Sequence, residues 1–292
     1  MSAPIQVPVE STLQLKNILY ATDFSGYARQ ALPYAEALAR KFGACIHLCH
    51  VVTPSALAVS APEVAPYLYT AEHESSAIEL QDMAAVIRKK GMQVQVQMPS
   101  GPLSDVLPAV IHENAIDLVI AGTHGHTGMK RFLLGSAVEE IGRVASCPVL
   151  TVGPLLSLRH EIRFRNILYA TDLSGESRKA LPYVAAIAEE YGSIVTVLHV
   201  LPPGHETPVE KRAQARWKSQ EMQSAFGAAL DQVRHEFIVD FGGAPDTILR
   251  VAAEKRAALI ALGLGNPGAI HLRSSTPYKI MAQAHCPVLT VR

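Results

Sequence analysis

The sequence predicts an α/β protein built from two tandem doubly wound domains, each with a five-stranded parallel sheet flanked by helices. At 292 residues the chain suits two domains of roughly 150 residues better than one. The segment NILYATDFSGYARQALPYAEALARKFGA, which starts at Asn17, recurs as NILYATDLSGESRKALPYVAAIAEEYGS from Asn166. In each copy, short β-branched runs alternate with longer helical patterns, which favours right-handed crossovers onto a parallel sheet.

The two copies also end alike, with CPVLTV from Cys147 and again from Cys286. The duplication therefore covers nearly the whole chain except a connector over residues 153–165. We expect one domain over residues 1–155 and a second over residues 156–292. We call the copy that contains Asn17 the first repeat and the copy that contains Asn166 the second repeat.

Hydrophobic periodicity separates the strands from the helices of the first repeat. Strands are predicted at Asn17–Ala21, 45–52, 94–98, 118–121 and Val149–Val152. Helices are predicted at residues 25–42, 71–90, 104–113 and 136–145. Gly43 and Gly91 follow the first two helices and suit the left-handed conformation in which helices often end. We expect the second repeat to follow the same order from Asn166 to Val291, so that each domain is Rossmann-like.

Composition limits the classes of function and partner. Apolar residues make up 49% and charged residues 18% of the chain, which is typical of a globular protein. Lys plus Arg equals Asp plus Glu at 26 each, so the broad positive field that binds nucleic acid or anionic membranes is absent. No apolar run approaches the roughly 20 residues of a membrane span, and the 4 cysteines are too few for a disulfide scaffold. We expect a cytoplasmic protein without a nucleic-acid or membrane partner.

Two loops lie where ligands of open α/β sheets bind, beyond the carboxyl ends of the strands. The first, ATDFSG from Ala21, follows the first strand. Its Asp23 carboxylate can accept hydrogen bonds from ribose hydroxyls or an adenine amino group, and Ser25 can cap the next helix. Alternatively, Asp23 and Ser25 both act only as caps of that helix.

The second loop, AGTHGHTGMKRFLLGS from Ala121, follows the fourth strand. Its Gly122, Gly125 and Gly128 allow backbone amides to approach an anion without obstruction by a Cβ atom. The helix predicted from Ser136 adds unpaired amides and the positive end of a helix dipole, both of which favour phosphate.

Ser136 has two interpretations: it binds a phosphate, or it only caps the helix. Lys130 and Arg131 lie close in sequence and add positive charge for a phosphate. Ser136 and Glu139 also fit a capping box, which stabilises a helix without any ligand.

The loop glycines follow a fixed spacing: Gly122, Gly125, nine further residues, and then Gly135 with Ser136. This spacing resembles the universal stress protein family, whose nucleotide-binding members carry Gly-x-x-Gly, nine residues, and Gly-Ser or Gly-Thr. The opening ILYATD and the closing CPVL of both copies are also similar to that family. The resemblance covers essentially the whole chain as two tandem copies.

The resemblance implies ATP, with Mg²⁺, as the ligand of the first repeat. It implies that Asp23 contacts the ribose, the backbone at Val51 the adenine, and the loop glycines with Ser136 the phosphates. The full set of implied nucleotide-binding residues is Ala21, Asp23, Val51, Ala121, Gly122, Gly125, Gly135, Ser136 and Ala137.

The resemblance also implies how the two domains meet. Family members dimerise through their last strands, so Val149–Val152 and Val288–Val291 are expected to pair antiparallel and form an internal pseudo-dimer. A further homodimer and an unidentified protein partner stay open.

The second repeat departs from the pattern at its glycine loop. GLGNPGAIHLRSS from Gly263 is two residues shorter than its counterpart, and Ser274 and Ser275 replace Gly-Ser. We expect a mainly structural second domain. A weakened site is the alternative, because several polar or charged residues remain: Asp172, Ser174, His271 and Arg273.

These features favour a nucleotide-responsive module of the stress response rather than an enzyme. The chain has no Gly-x-x-x-x-Gly-Lys-Ser/Thr, Gly-x-Ser-x-Gly or His-Glu-x-x-His string and no Cys-x-x-Cys pair. One alternative is a slow ATPase or phosphotransferase that uses His124 or His126. The other is an interaction scaffold that binds no nucleotide.

Three further features have competing interpretations. Cys45, His47 and Cys49 alternate along a strand and so lie on one face of it. This face is either packed in the core or the start of a metal site, and we favour the core. The proline-rich segment 53–69 is either a lid or a passive surface loop. Trp217 lies in a polar helical stretch and is expected on a solvated face rather than at a partner or membrane.

Overall fold

The computed structural model of the chain describes residues 13–53, 65–123, 134–153, 161–264 and 275–292. The first repeat contains β1 (Asn17–Ala21), α1 (Gly26–Arg29), α2 (Leu32–Phe42), β2 (Cys45–Cys49), α3 (Ala65–Lys89), β3 (Val94–Gln97), α4 (Leu103–Glu113), β4 (Leu118–Gly122), α5 (Ser136–Val144) and β5 (Val149–Val152). The second repeat contains β6 (Asn166–Ala170), α6 (Gly175–Arg178), α7 (Leu181–Tyr191), β7 (Ile194–Leu201), α8 (Pro208–Phe226), a 3-10 turn (Ala228–Leu230), β8 (Arg234–Phe241), α9 (Ala244–Glu254), β9 (Leu259–Gly263), α10 (Thr276–Gln283) and β10 (Val288–Val291).

The strands form one ten-stranded sheet in the order β3-β2-β1-β4-β5-β10-β9-β6-β7-β8. Among the described strands all pairs within a repeat are parallel, and β5 and β10 pair antiparallel. The predicted doubly wound α/β repeats and the expected pairing of their last strands are therefore present. Apolar side chains alternate between two cores: Ile18 and Tyr20 face one helical layer, and Leu19 faces the other.

The strand junction between the repeats has a local two-fold symmetry. Thr151 donates its hydroxyl to the carbonyl of Val288 at 3.2 Å, and Thr290 donates to Val149 at the same distance. These reciprocal hydrogen bonds satisfy two buried hydroxyls on opposite strands. The apolar VLTV runs thus form a tight seam at the centre of the sheet.

The helix predicted over residues 25–42 is wrong as a single element, because it is divided into α1 and α2. Pro33 lies in the first turn of α2 and has no N–H, so it cannot donate to the carbonyl of Arg29 and continue α1. The predicted helix end at Gly43 is confirmed, since this residue has a φ of 68°. Gly91, which follows α3, has a φ of 80°.

Other boundaries differ by short segments. β2 ends at Cys49, and Val52 forms only an isolated bridge with Ser100. The long helix α3 begins at Ala65 and not at residue 71, so the last residues of the predicted loop 53–69 are helical. Residues 54–64, which carry the rest of that loop prediction, lie outside the described residues.

The alternating Cys45, His47 and Cys49 of β2 belong to a packed region. His47 is buried, and its Nε2 lies 3.2 Å from the Oδ1 of Asn17. Across the described part of the chain, no three His, Cys, Asp or Glu side chains are grouped so that they could hold a metal ion. The burial of His47 and Cys49 favours the core interpretation of this strand.

Trp217 is exposed to solvent, as predicted for this polar helical stretch. The Trp217 side chain is 62% exposed and lies under the Lys218 ammonium, which is 4.6 Å from the ring centroid. None of the helices in the described ranges combines the length and the apolar character needed to cross a membrane.

Candidate functional site

A cavity of about 460 Å³ opens at the carboxyl ends of β1, β2 and β4. The N-terminal parts of α4 and α5 close its other sides. β1 lies between β2 and β4 in the sheet, so the crossovers diverge at this point, which is where open α/β sheets bind their ligands. The cavity volume is in the usual range of small-molecule sites.

The loop after β1 forms one wall of the cavity through Asp23. The Asp23 Oδ1 accepts the Ser25 N–H at 3.0 Å, and the Ser25 hydroxyl caps α1 by accepting the Ala28 N–H at 3.1 Å. Phe24 adopts the left-handed conformation, with a φ of 63°, which turns the chain sharply between them. Asp23 and Ser25 therefore fix the turn, and Asp23 also faces the cavity.

His50 lies beside this wall and is a residue that the sequence analysis missed. Its Nδ1 lies 2.8 Å from the carbonyl oxygen of Thr22, so Nδ1 carries the proton in this contact. Its ring centroid is 4.5 Å from that of Phe24. His50 and the predicted Val51 both line the cavity at the end of β2. The only sequence signal for His50 is its place beside Val51.

Gly122, at the end of β4, is required by packing. A Cβ atom at this position would lie 2.9 Å from the Tyr27 carbonyl oxygen and 3.0 Å from the Ala28 Cα. Gly263 has the same role in the second repeat, where a Cβ would lie 2.2 Å from the Ser177 Cα. A glycine here therefore lets the short helix after the first strand cross the sheet in both repeats.

The start of α5 differs from the predicted capping box, which is wrong. Gly135 is the N-cap residue and provides no side-chain cap, and Ser136 is the first helical residue. The Gly135 N–H donates to the Thr123 carbonyl at 2.8 Å, which holds Gly135 extended and outside the helix. The Glu139 N–H then donates to the Gly135 carbonyl at 3.1 Å, so Glu139 is the fourth residue after the N-cap Gly135, one position too far along for a capping box.

The corresponding helix of the second repeat is capped by its own side chain. Ser275 aligns with Ser136 when the repeats are matched on CPVL. The Ser275 hydroxyl accepts the Tyr278 N–H at 3.4 Å and caps α10. The start of α5 borders the cavity, whereas in the first turn of α10 the Tyr278 amide is bound by the Ser275 side chain.

The loop after β6 keeps the turn of the first repeat. Asp172 accepts the Ser174 N–H at 2.9 Å, and Leu173 has a φ of 68°. Although burial acts in the opposite direction, hydrogen bonds from Ser174 and Ser177 lower the pKa of Asp172 below its ordinary value. The retained Asp172 and Ser174 are thus explained by the turn itself.

Eight of the nine predicted nucleotide-binding residues line the cavity: Ala21, Asp23, Val51, Ala121, Gly122, Gly135, Ser136 and Ala137. The ninth, Gly125, lies outside the described residues, as do His124, His126, Gly128, Lys130, Arg131, His271, Arg273 and Ser274. Further lining residues that were not predicted are Thr22, Ala28, Thr53, Pro102, Leu103, Leu107, Thr123, Val138, Glu140 and Ile141.

Cys49 is the one lining residue of the described set with a thiol. Burial raises its pKa to about 12, so the thiol stays protonated and a poor nucleophile near neutral pH. The cavity therefore presents hydrogen-bonding groups and apolar walls rather than an activated cysteine.

Comparisons with known proteins give a consistent picture. The sequence profile of the universal stress protein family matches residues 14–153 and again residues 163–292. Universal stress protein MJ0531 of Methanocaldococcus jannaschii is 29% identical over 139 residues, which are 47% of this chain and 81% of that protein.

Two solved structures share the fold over nearly the whole chain. A universal stress protein from Archaeoglobus fulgidus has a TM-score of 0.74 at 20% identity, covering 96% of this chain and 97% of its own. The protein PA1789 from Pseudomonas aeruginosa, described as functionally unknown, has a TM-score of 0.64 at 18% identity, covering 95% and 92%. Because the family profile covers both repeats, the chain belongs to the universal stress protein family, as a tandem two-domain member.

Proposed function

We propose that the first repeat binds ATP, with Mg²⁺, and that the protein is a nucleotide-responsive module of the stress response rather than an enzyme. The observation that carries this proposal is the start of α5, which borders the cavity with no side-chain cap, while Asp23 of the β1 loop lines the same cavity. The helix start suits an anion, and the Asp23 carboxylate suits neutral hydrogen-bond donors.

The phosphates are assigned to the start of α5. The first amides of an α-helix have no acceptor within the helix, and the helix dipole adds partial positive charge there. Ser136 and Ala137 line the cavity at this position, and the Ser136 hydroxyl is not used as a cap. These groups support binding of a phosphate chain without a P-loop lysine.

The nucleoside is assigned to the part of the cavity lined by Asp23 and Val51. The Asp23 carboxylate can accept hydrogen bonds from two adjacent ribose hydroxyls. Val51, Leu103 and Leu107 supply apolar contact for a purine base, and the backbone at Val51 offers polar groups to its edge. If the cavity bound only an inorganic anion between Asp23 and Ser136, the apolar side chains of Val51, Leu103 and Leu107 would have no ligand group to contact.

A magnesium ion would be held mainly by the nucleotide. In the described ranges no three His, Cys, Asp or Glu residues are grouped as a metal site, so no cage is proposed from those residues. Mg²⁺ usually keeps several waters and binds substrate phosphates, which fits this donor set. Its role here would be to neutralise phosphate charge next to Ser136.

We infer one site per chain. Ser275 caps α10 with its own hydroxyl, so the second repeat lacks the open helix start that distinguishes the first. The second repeat would then act as the structural domain of residues 156–292, next to a binding domain of residues 1–155. The four free thiols support a reducing compartment, and we assign the protein to the cytoplasm.

Calorimetric titration of the full-length protein with ATP and Mg²⁺, after removal of co-purified nucleotide, tests this proposal. We expect a stoichiometry near one, loss of binding in Asp23→Ala, and retained binding in the matched variant Asp172→Ala. Two sites per chain would contradict the single-site proposal. No binding would favour a scaffold, and ATP turnover in the same samples would favour the enzyme alternative.

A further inference from the structure

A hydrogen bond between the repeats meets the wall of the cavity. The backbone N–H of Leu134 donates to the hydroxyl of Tyr278 at 3.2 Å, although the two residues are 144 positions apart in sequence. Leu134 is 6% and Tyr278 3% exposed, so this contact is removed from water. Leu134 directly precedes Gly135 and Ser136, the residues assigned to the phosphates.

The same short segment is also fixed from the first repeat. The Gly135 N–H donates to the Thr123 carbonyl at 2.8 Å, and the Thr123 N–H donates to the Val152 carbonyl at 2.9 Å. Leu134 thus directly precedes the N-cap residue Gly135, which is bound to Thr123 in the first repeat, while Leu134 itself is bound to Tyr278. Its own N–H points to the second repeat rather than to the strands.

The far end of α5 is held by the second repeat as well. The Arg292 Nη1 donates to the Arg143 carbonyl at 2.7 Å, in the last turn of α5. A guanidinium at this place complements the negative end of the helix dipole. The segment that leads into α5 and the last turn of α5 are therefore both contacted by side chains of the other repeat.

This arrangement does not follow from the duplication. When the repeats are matched on CPVL, Tyr278 aligns with Glu139, which has no phenol group. Among the described residues the tyrosine contact thus runs from the second repeat to the first. It appears together with the Ser275 cap, on the same first turn of α10.

We propose that Tyr278 is a positioning residue for the nucleotide site of the first repeat. By holding Leu134, its hydroxyl keeps the first amides of α5 aimed into the cavity, and it links occupancy of that cavity to the start of α10. This inference rests on the proposed nucleotide binding. Because coupling between two sites is reciprocal, ATP should stabilise α10, and loss of the hydroxyl should weaken ATP binding.

The variant Tyr278→Phe removes the hydroxyl and keeps the ring in the core. Tyr191→Phe is the matched control, because the Tyr191 hydroxyl donates to the Ala37 carbonyl at 3.0 Å, also between the repeats but away from the cavity. Two measurements are made on full-length wild type and both variants: the ATP affinity by calorimetry, and the amide hydrogen exchange of residues 276–283 with and without ATP.

In Tyr278→Phe we expect ATP binding to weaken by about tenfold and the ATP-induced protection of residues 276–283 to disappear. Tyr191→Phe should match wild type in both measurements. Wild-type affinity in Tyr278→Phe, equal weakening in both variants, or protection that survives the loss of the hydroxyl would each overturn the inference. If wild type itself binds no ATP, the proposed function fails first, and the role of Tyr278 fails with it.

Discussion

Leu150 lies directly opposite Leu289 where the two repeats join, and each side chain is only 1% exposed. The two leucines occupy equivalent positions of the two CPVLTV copies, so the same position of each repeat meets at the junction. Both belong to one apolar core that extends across the junction. The repeats are thus joined by a buried seam and not merely by a linker.

Removing either leucine side chain should destabilise the protein through this shared core. We expect Leu150→Ala and Leu289→Ala each to lower the free energy of unfolding by about 2–5 kcal/mol. Because the residues are direct neighbours, the double variant should deviate from additivity by at least about 0.5 kcal/mol. Urea unfolding measures all three variants, with Ile78→Ala, 64% exposed, as the control that changes little. Strict additivity would mean that the two sites are energetically independent.

The different starts of α5 and α10 predict different effects of replacing their aligned serines, Ser136 and Ser275, by alanine. Ser275→Ala deletes a side-chain cap and should lower the free energy of unfolding by about 0.5–1 kcal/mol, since the 3.4 Å contact is long. Ser136→Ala removes no cap and should stay within about 0.5 kcal/mol of wild type in the absence of nucleotide. Thermal unfolding without ligand compares the two. A larger loss at Ser136 than at Ser275 would contradict the observed capping.

Much of the fold follows from local sequence patterns. The strands β1 and β5 match their predicted bounds because short apolar runs lie between clear turn and helix signals. The repeated NILYATD and CPVLTV segments show the duplication without any structural information. The lining of the cavity by Asp23 and Gly122 follows from their places at the carboxyl ends of neighbouring strands.

The remainder depends on contacts that sequence spacing does not contain. Ser136 is not a cap because Gly135, whose N–H bonds to Thr123, occupies the N-cap position, so the helix starts one residue earlier than a capping box from Ser136 to Glu139 requires. His50 enters the site through the carbonyl of Thr22, in the loop that follows the neighbouring strand β1. Tyr278 reaches Leu134 from the other repeat. Pro33 is a sequence signal for the break between α1 and α2, but the apolar periodicity over residues 25–42 continues across it.

Enlarging Gly122 should disturb both stability and the site. A methyl group in Gly122→Ala would push the backbone at Tyr27 and Ala28 away from β4, and this backbone belongs to the helix that follows Asp23. We expect a lower midpoint of urea unfolding and a loss of ATP affinity of tenfold or more, on the order of 1.4 kcal/mol. Gly26→Ala, where a Cβ meets no atom within 4 Å, is the matched control. If both variants bind ATP alike, the close approach at Gly122 does not shape the site.

Buried His47 should make stability depend on pH. Burial lowers its pKa below the ordinary value of 6.5, so the unfolded chain takes up a proton that the folded protein holds less tightly. Stability is therefore fully present above about pH 6.5 and declines as the pH falls below it, by at most about 1.4 kcal/mol per pH unit from this group. His47→Gln, which keeps a donor for Asn17, should reduce the decline between about pH 7.5 and pH 5.5. Urea unfolding at several pH values measures it, and His205→Gln, at an exposed position, should keep the wild-type slope. An unchanged slope in His47→Gln would assign the acid sensitivity to other groups.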